Sequence, residues 1–217
     1  MERNRKVQVI AIVALIVGVI GLSIGFASFS NVLNIQSSAN VKPDNSTMNV
    51  VFSSAESKAE VTEITPVVTP NSLVATNGII DNSNDPTISN LSATFTEPGQ
   101  TAVYKFYAYN AGELNAFLKS IVFENVTGQN ATKVCTASAG TSDELVQKAC
   151  EKISVKVKVG NELETSTGKA SITGHTLAKG NGEVVVVTLE YEAGADRADG
   201  DFTVAFGNIT LNYSSAD

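Results

Sequence analysis

The chain has 217 residues, a formal charge of −7, two cysteines, one histidine and no tryptophan. An acidic balance with few lysine clusters excludes binding to a phosphate backbone, which needs a basic face, and a single histidine excludes the two-histidine zinc motifs. About 190 residues follow the apolar start, enough for one well-buried domain.

Arg3, Arg5 and Lys6 form a cationic leader, and from Val7 to Phe29 there is no charged side chain. A helix of roughly 20 such residues crosses a hydrocarbon core of about 30 Å. The small-x-small pattern Gly25-Phe26-Ala27 also suits leader cleavage after Ala27, while Gly21 and Gly25 stand at the spacing that packs helices within membranes. Residues 1–27 are therefore a signal peptide or a membrane-anchor helix, touching the membrane through residues 7–26. Both alternatives export the remainder, so the protein is expected to be extracellular or at the cell surface. Losing residues 1–27 removes three basic and one acidic side chains and leaves a charge of −9.

Behind the leader the apolar pattern changes to a period of two. Phe29, Leu33 and Ile35 alternate with Ser28, Ser30, Asn34 and Gln36, interrupted at Asn31 and Val32, which predicts a strand over Ser28–Gln36. Residues 28–47 then comprise this strand and a polar connector, and residues 48–217 the main domain, opening on a short strand at Met48–Ser53. Between Ala55 and Pro86 an exposed loop is expected, because Thr65-Pro66 and Thr69-Pro70 exclude central-strand pairing and residues 81–86 are turn formers. Asp81, Ser83 and Asp85 have the spacing of a calcium loop without its glycine or distal glutamate, so a plain turn is expected.

From Thr87 onward strand follows strand. Ile88–Phe95, the turn Glu97-Pro98-Gly99-Gln100 and Val103–Asn110 read as a hairpin. Phe117, Ile121 and Phe123 alternate with Leu118, Ser120 and Val122, as in a strand covered on both faces. A helix is predicted over Ser142–Glu151, with Thr141 and Glu144 at capping-box spacing and Leu145, Val146 and Ala149 as its apolar stripe. Cys135 and Cys150, in an oxidising compartment, are expected to form a disulfide that pins this helix. Ile153–Val159 and Glu183–Glu192 alternate cleanly. Near the end, Phe202, Val204 and Phe206 occupy even positions and Ile209, Leu211 and Tyr213 odd ones, which places a β-bulge at Gly207-Asn208. Together these elements predict an all-β fold, an antiparallel β-sandwich of jelly-roll or Ig-like type with one short helix near 142–151.

No nucleophile elbow, P-loop or zinc-helix motif is present. No catalytic residue, metal ligand or cofactor is expected, and the protein is read as no enzyme. His175 belongs in a turn between strands, and Asp196, Asp199 and Asp201 around Gly200 in a solvated hairpin tip rather than a calcium site. Asn45, Asn90, Asn125, Asn130, Asn208 and Asn212 begin N-x-S/T sequons, which matter only where asparagine is glycosylated.

The leader ending Gly25-Phe26-Ala27, Ser28-Phe29-Ser30 behind it, Glu97-Pro98-Gly99-Gln100 before Tyr104-Lys105-Phe106, Asn110-Ala111-Gly112 and the closing Phe206–Tyr213 resemble the TasA/camelysin family of Gram-positive surface and biofilm-matrix fibre proteins. The cysteine pair departs from that family. The resemblance implies a jelly-roll domain, leader removal by a dedicated peptidase, and assembly into extracellular fibres in which the N-terminal strand of one subunit completes the sheet of the next. The partner is then another copy of the same chain. Carried onto this chain, the donor strand is Ser28–Gln36 with Phe29, Leu33 and Ile35 as its apolar residues, and the isolated subunit is expected to leave this strand unpartnered. The alternative is a membrane-anchored cell-surface domain for adhesion or ligand binding. Camelysin-like proteins have also been classed as metalloendopeptidases, an activity for which these residues offer no motif.

Overall fold

The structure is a computed structural model and describes residues 30–35, 48–58, 62–83, 86–161 and 163–215. The apolar helix expected over residues 1–27, Phe29 and the whole connector, residues 36–47, lie outside these residues. Among the described residues no helix is long and apolar enough to cross a membrane.

Strands numbered along the chain fall into three sheets that pack as a sandwich. The first sheet runs β14 (Thr176–Leu177), β10 (Ala116–Phe123), β17 (Ile209–Ser214), β1 (Ser30–Ile35), β7 (Thr87–Ser89), β6 (Gly78–Asp81), β3 (Glu63–Ile64). The second runs β13 (Leu163–Thr165), β12 (Ile153–Val159), β15 (Gly182–Tyr191), β9 (Thr101–Asn110). On the far edge of β9, β2 (Val50–Ser53) and β4 (Val67–Thr69) follow one another in tandem. The third runs β11 (Lys133–Ala137), β16 (Phe202–Phe206), β8 (Ala93–Phe95), β5 (Val74–Ala75). Pairing is antiparallel throughout except between β1 and β7.

The alternation read from sequence becomes the core. Tyr104 and Phe106 of β9, Val187 and Tyr191 of β15, and Leu211 and Tyr213 of β17 are all buried. Phe95, Tyr191 and Phe202 form an aromatic cluster with ring centroids 5.6–6.1 Å apart, and Phe52 meets Phe106 edge-on at 5.4 Å. Such edge-to-face contacts favour the ring quadrupoles beyond simple area burial.

The structure corrects several local expectations. Residues 55–86 carry four short strands, β3 to β6, rather than a loop, and the prolines fall between strands, where no ladder N–H is required of them. The stretch Ile88–Phe95 is split into β7 and β8 and makes no hairpin with β9, because Glu97-Pro98-Gly99-Gln100 carries the chain from the third sheet to the second. Gln100 closes that turn on itself, its side chain accepting from the N–H of Thr96 and Glu97 and donating to Thr96 Oγ1. The inserted residue lies in β10, where the register shifts between Leu118 and Ser120 so that Leu118 and Ile121 both reach the core. At Gly207-Asn208 there is no bulge: the strand leaves the third sheet and enters the first.

The helix α1 (Asp143–Glu151) begins at Ser142 without a side-chain cap, and the capping box expected from Thr141 and Glu144 is not made. The N–H of Ser142 instead donates to Asp199 Oδ1 at 3.0 Å. Val146, Ala149 and Cys150 are buried, whereas Leu145 is exposed, so the apolar stripe is narrower than predicted. Cys150 is joined to Cys135 of β11, with both residues buried.

Candidate functional site: a slot in the first sheet

Two long strands define the site. One is β7 continued by β8, the other β16 continued by β17. In the third sheet they pair directly, Phe95 opposite Phe202 and Ala93 opposite Val204. In the first sheet they separate, and β1 lies between them. It runs antiparallel to β17 over six residues, Ser30 opposite Ser214 through Ile35 opposite Ile209, and parallel to β7 at Asn34–Thr87 and Ile35–Ile88. The outer edges of the slot are already occupied, since β17 is zipped to β10 and β7 to β6. Among the described residues neither wall has another partner within the sheet.

Backbone exceptions mark the joints where the walls part. Asn90, between β7 and β8, has φ +65°, a left-handed conformation that asparagine tolerates better than most residues. Its carboxamide donates to Asn77 O at 3.0 Å, and Thr76 Oγ1 donates to Asn90 O. At the other joint the N–H of Gly207 donates to Thr132 O and the N–H of Glu124 to Asn208 O. A Cβ at Gly207 would lie 1.9 Å from the carbonyl oxygen of Glu124, so only glycine lets the two backbones pass.

Of the residues singled out in sequence, Leu33 stands opposite Leu211 and Ile35 opposite Ile209, two core-facing positions of β17. Phe29 lies outside the described residues. The expectation of an unpartnered strand is corrected: in the single chain this strand fills its own sheet. The reason is geometric, because a strand removed from the slot would leave both β7 and β17 with unpaired N–H and C=O groups.

A polar network bridges the sheets beside the slot. Glu183, at the start of β15, shares the inward parity of Val185 and Val187, and its side chain is only 11 % exposed. Nε2 of His175 lies 2.5 Å from its Oε2, and the buried hydroxyl of Tyr213 donates to its Oε1 at 2.5 Å. Burial, with the Glu183 carboxylate alongside, pushes the Tyr213 phenol well above the ordinary tyrosine range. Tyr213 stands opposite Asn31 of β1, so this network anchors one wall of the slot to the second sheet. Sequence reading missed Glu183, although a carboxylate in phase with buried valines is a signal for it.

The remaining candidates have local structural partners. Asp81 Oδ1 accepts from the N–H of Ser83 and closes a turn, and the Ser83 hydroxyl together with that N–H draws the Asp81 carboxyl below the carboxylate norm. Tyr191 donates to Asp196 O, and Asp199 holds the start of the helix. The carboxamides of the sequon residues Asn208 and Asn212 donate to Glu124 and Ser120. Among the described residues no three His, Cys, Asp or Glu side chains converge as metal ligands would.

Compared with known protein families, with curated proteins and with solved structures, the chain matches none of them.

Proposed function

We propose that this chain is an exported structural protein, the subunit of an extracellular fibre or matrix that assembles by donating its N-terminal strand to the next subunit, and that it is not an enzyme. The observation that carries this reading is the slot: a terminal strand lies between two strands of its own sheet, and twelve residues, 36–47, separate it from Met48. Fully extended, twelve residues span about 40 Å, a reach that permits insertion into a neighbour. The same strand in the same register serves either chain, so exchange keeps every paired position and is governed by concentration and linker strain. Head-to-tail donation produces filaments wherever the rotation between successive subunits does not close a ring.

The register supplies the test. Val32 and Asn212 stand directly opposite each other in neighbouring antiparallel strands, where Cα separations of about 4.5–5.5 Å suit a disulfide. Oxidising the Val32→Cys, Asn212→Cys double variant as a monomer is expected to link the chain to itself. Oxidising it after assembly is expected to give a covalent ladder of subunits in denaturing gels. Self-linked single chains from preformed filaments would sink strand donation.

The pairing of β1 within its own chain also favours a second reading, a self-contained surface domain tethered by residues 7–26 and used for adhesion or ligand binding. N-terminal sequencing of the native protein separates the two: Ser28 as first residue removes the tether, Met1 retains it.

A further inference from the structure

The fold sorts the N-x-S/T sequons into those it consumes and those it leaves open. A saccharide on an asparagine Nδ2 is bulky and hydrated, so the folded chain carries one only where that nitrogen faces solvent and bonds nothing within the fold. Asn45 lies outside the described residues. Asn208 does not meet the requirement, because its carboxamide donates to Glu124 Oε2 at 3.0 Å and the Thr210 hydroxyl of its sequon donates to Oε1 of the same carboxylate at 3.1 Å. Nor does Asn212. Its carboxamide donates to Ser120 Oγ at 2.6 Å, and its strand β17 is paired on both sides, with β10 and β1. At Asn90 the carboxamide donates to Asn77 O, and the Ser92 hydroxyl of that sequon lies 3.1 Å from Thr76 Oγ1.

Asn125-Val126-Thr127 and Asn130-Ala131-Thr132 differ on every count. Both lie in the turn of residues 124–132 that joins β10 to β11. Backbone bonds alone build this turn: the N–H of Val126 donates to Ala131 O and that of Gln129 to Val126 O. Its base is tied to the chain crossing between sheets, since the N–H of Glu124 donates to Asn208 O and the N–H of Gly207 to Thr132 O. At the tip Gly128 has φ +77°, with no atom within 4 Å of where a Cβ would stand. Val126 is half-buried, whereas Asn125, Thr127, Asn130 and Thr132 are all exposed. The side chains of Asn125 and Asn130 make no hydrogen bond among the described residues. The turn is held by its backbone and leaves both carboxamides and both hydroxyls to the outside.

We propose that Asn125 and Asn130 are N-glycosylated, which makes the 124–132 turn a saccharide-bearing corner of the protein. The proposal rests on export, one part of the functional reading above, and is independent of strand donation. The co-reactant is a saccharide joined through phosphate to a polyprenyl lipid, and a transferase of the exporting cell catalyses the step. A bond forms between asparagine Nδ2 and the anomeric carbon, and the bond from that carbon to the phosphate oxygen breaks. The lipid phosphate leaves with the electron pair, and one proton leaves the amide nitrogen. A carboxamide nitrogen is a weak nucleophile, its lone pair being delocalised into the carbonyl as in a peptide, so the transferase has to grip the whole sequon, hydroxyl included. An exposed turn can be gripped in this way, whereas a strand paired on both sides cannot.

Mass spectrometry of the full protein, taken from its own cells, tests the assignment. Trypsin places the two sequons together in peptide 120–133, apart from Asn90 in peptide 59–105 and from Asn208 and Asn212 in peptide 198–217. In the surface or extracellular fraction, peptide 120–133 is expected to gain the mass of two saccharides and the other two peptides to keep their unmodified masses. Asn125→Gln and Asn130→Gln are each expected to remove one saccharide. Thr127→Val with Thr132→Val keeps both asparagines but removes the hydroxyls, and is expected to return the peptide to its unmodified mass, whereas Thr127→Ser with Thr132→Ser retains the modification. These positions are exposed, so the variants leave the core untouched. An unmodified peptide 120–133 from exported protein would overturn the proposal and leave export standing. Saccharide on peptide 59–105 or 198–217 instead, or a modification that survives loss of both hydroxyls, would overturn it as well. Protein confined to the cytoplasm would overturn both the proposal and the export on which it rests.

Discussion

Glu183 shows how one residue can tie two sheets together. A carboxylate at an inward position is costly unless its oxygens are taken up, and here each oxygen has a partner, His175 on one and Tyr213 on the other. Replacing Tyr213 with Phe leaves one oxygen short of a donor inside the fold, and is expected to cost about 1–3 kcal/mol near neutrality. The pH dependence has a definite sign. The buried phenol holds its proton far more tightly in the folded state, whereas in the unfolded chain it titrates near pH 10. Its contribution is present below about pH 10 and lost as pH rises further, because the unfolded state then releases the proton first. Urea midpoints measured near neutrality and at about pH 11 should therefore show the gap between parent and variant narrowing with pH; a constant or widening gap would contradict the burial of this hydroxyl. Tyr104, raised by desolvation, adds to the alkaline loss in both proteins.

At the scale of elements, α1 depends on tertiary anchorage more than on its own ends. Ser142 supplies no side-chain cap, the N–H at that position is satisfied by Asp199 across the molecule, and one face packs through Val146 and Ala149. Its other tie is the Cys135–Cys150 bridge to β11, a strand at the edge of the third sheet whose one partner among the described residues is β16. Closing a loop of 15 residues stabilises by about 3 kcal/mol in the chain-entropy model. For a domain of this size that corresponds to roughly 6–12 °C in melting temperature. The Cys135→Ala, Cys150→Ala variant is expected to show this drop, with hydrogen exchange rising first over residues 143–151. Unchanged melting would mean that packing alone holds the helix and the edge strand.

For the whole molecule, the slot makes the N-terminal strand part of the subunit's own first sheet, whichever chain supplies it. Substituting Leu33 and Ile35 together with Asp therefore acts twice. Those positions stand opposite Leu211 and Ile209, and placing two carboxylates there opposes insertion both within a chain and between chains. We expect the variant to form no filaments and to unfold at lower denaturant concentration than the parent, while the second sheet keeps its β signal in circular dichroism. Electron microscopy and denaturant titration on one sample check both halves. Filaments of normal length would show that assembly uses another surface, and an unaltered unfolding midpoint would show that β1 contributes nothing to the single domain.

The amino-acid sequence by itself determined the long strands and which of their faces are buried, whereas the short strands β3 to β6 were read as a loop. Period-two alternation in Ile153–Val159, Glu183–Tyr191 and Phe202–Phe206 reflects a local property, the pleat, and every inward residue from Val185 onward in β15 is found in the core. The cysteine pairing was equally legible, because two cysteines allow one connectivity. Partners were not legible. Hairpin reasoning joined neighbours in sequence, whereas β7, β8, β16 and β17 pass between sheets, and the parity break at Gly207 records a change of sheet where an inserted residue would leave the same local trace. The slot exists only because two long strands pair in one sheet and part in the next, with Asn90 and Gly207 at the joints. Strand pairing depends on backbone groups distant in sequence, and alternation of side chains carries no information about which distant edge a strand will meet; only the tertiary structure placed the N-terminal strand between β7 and β17.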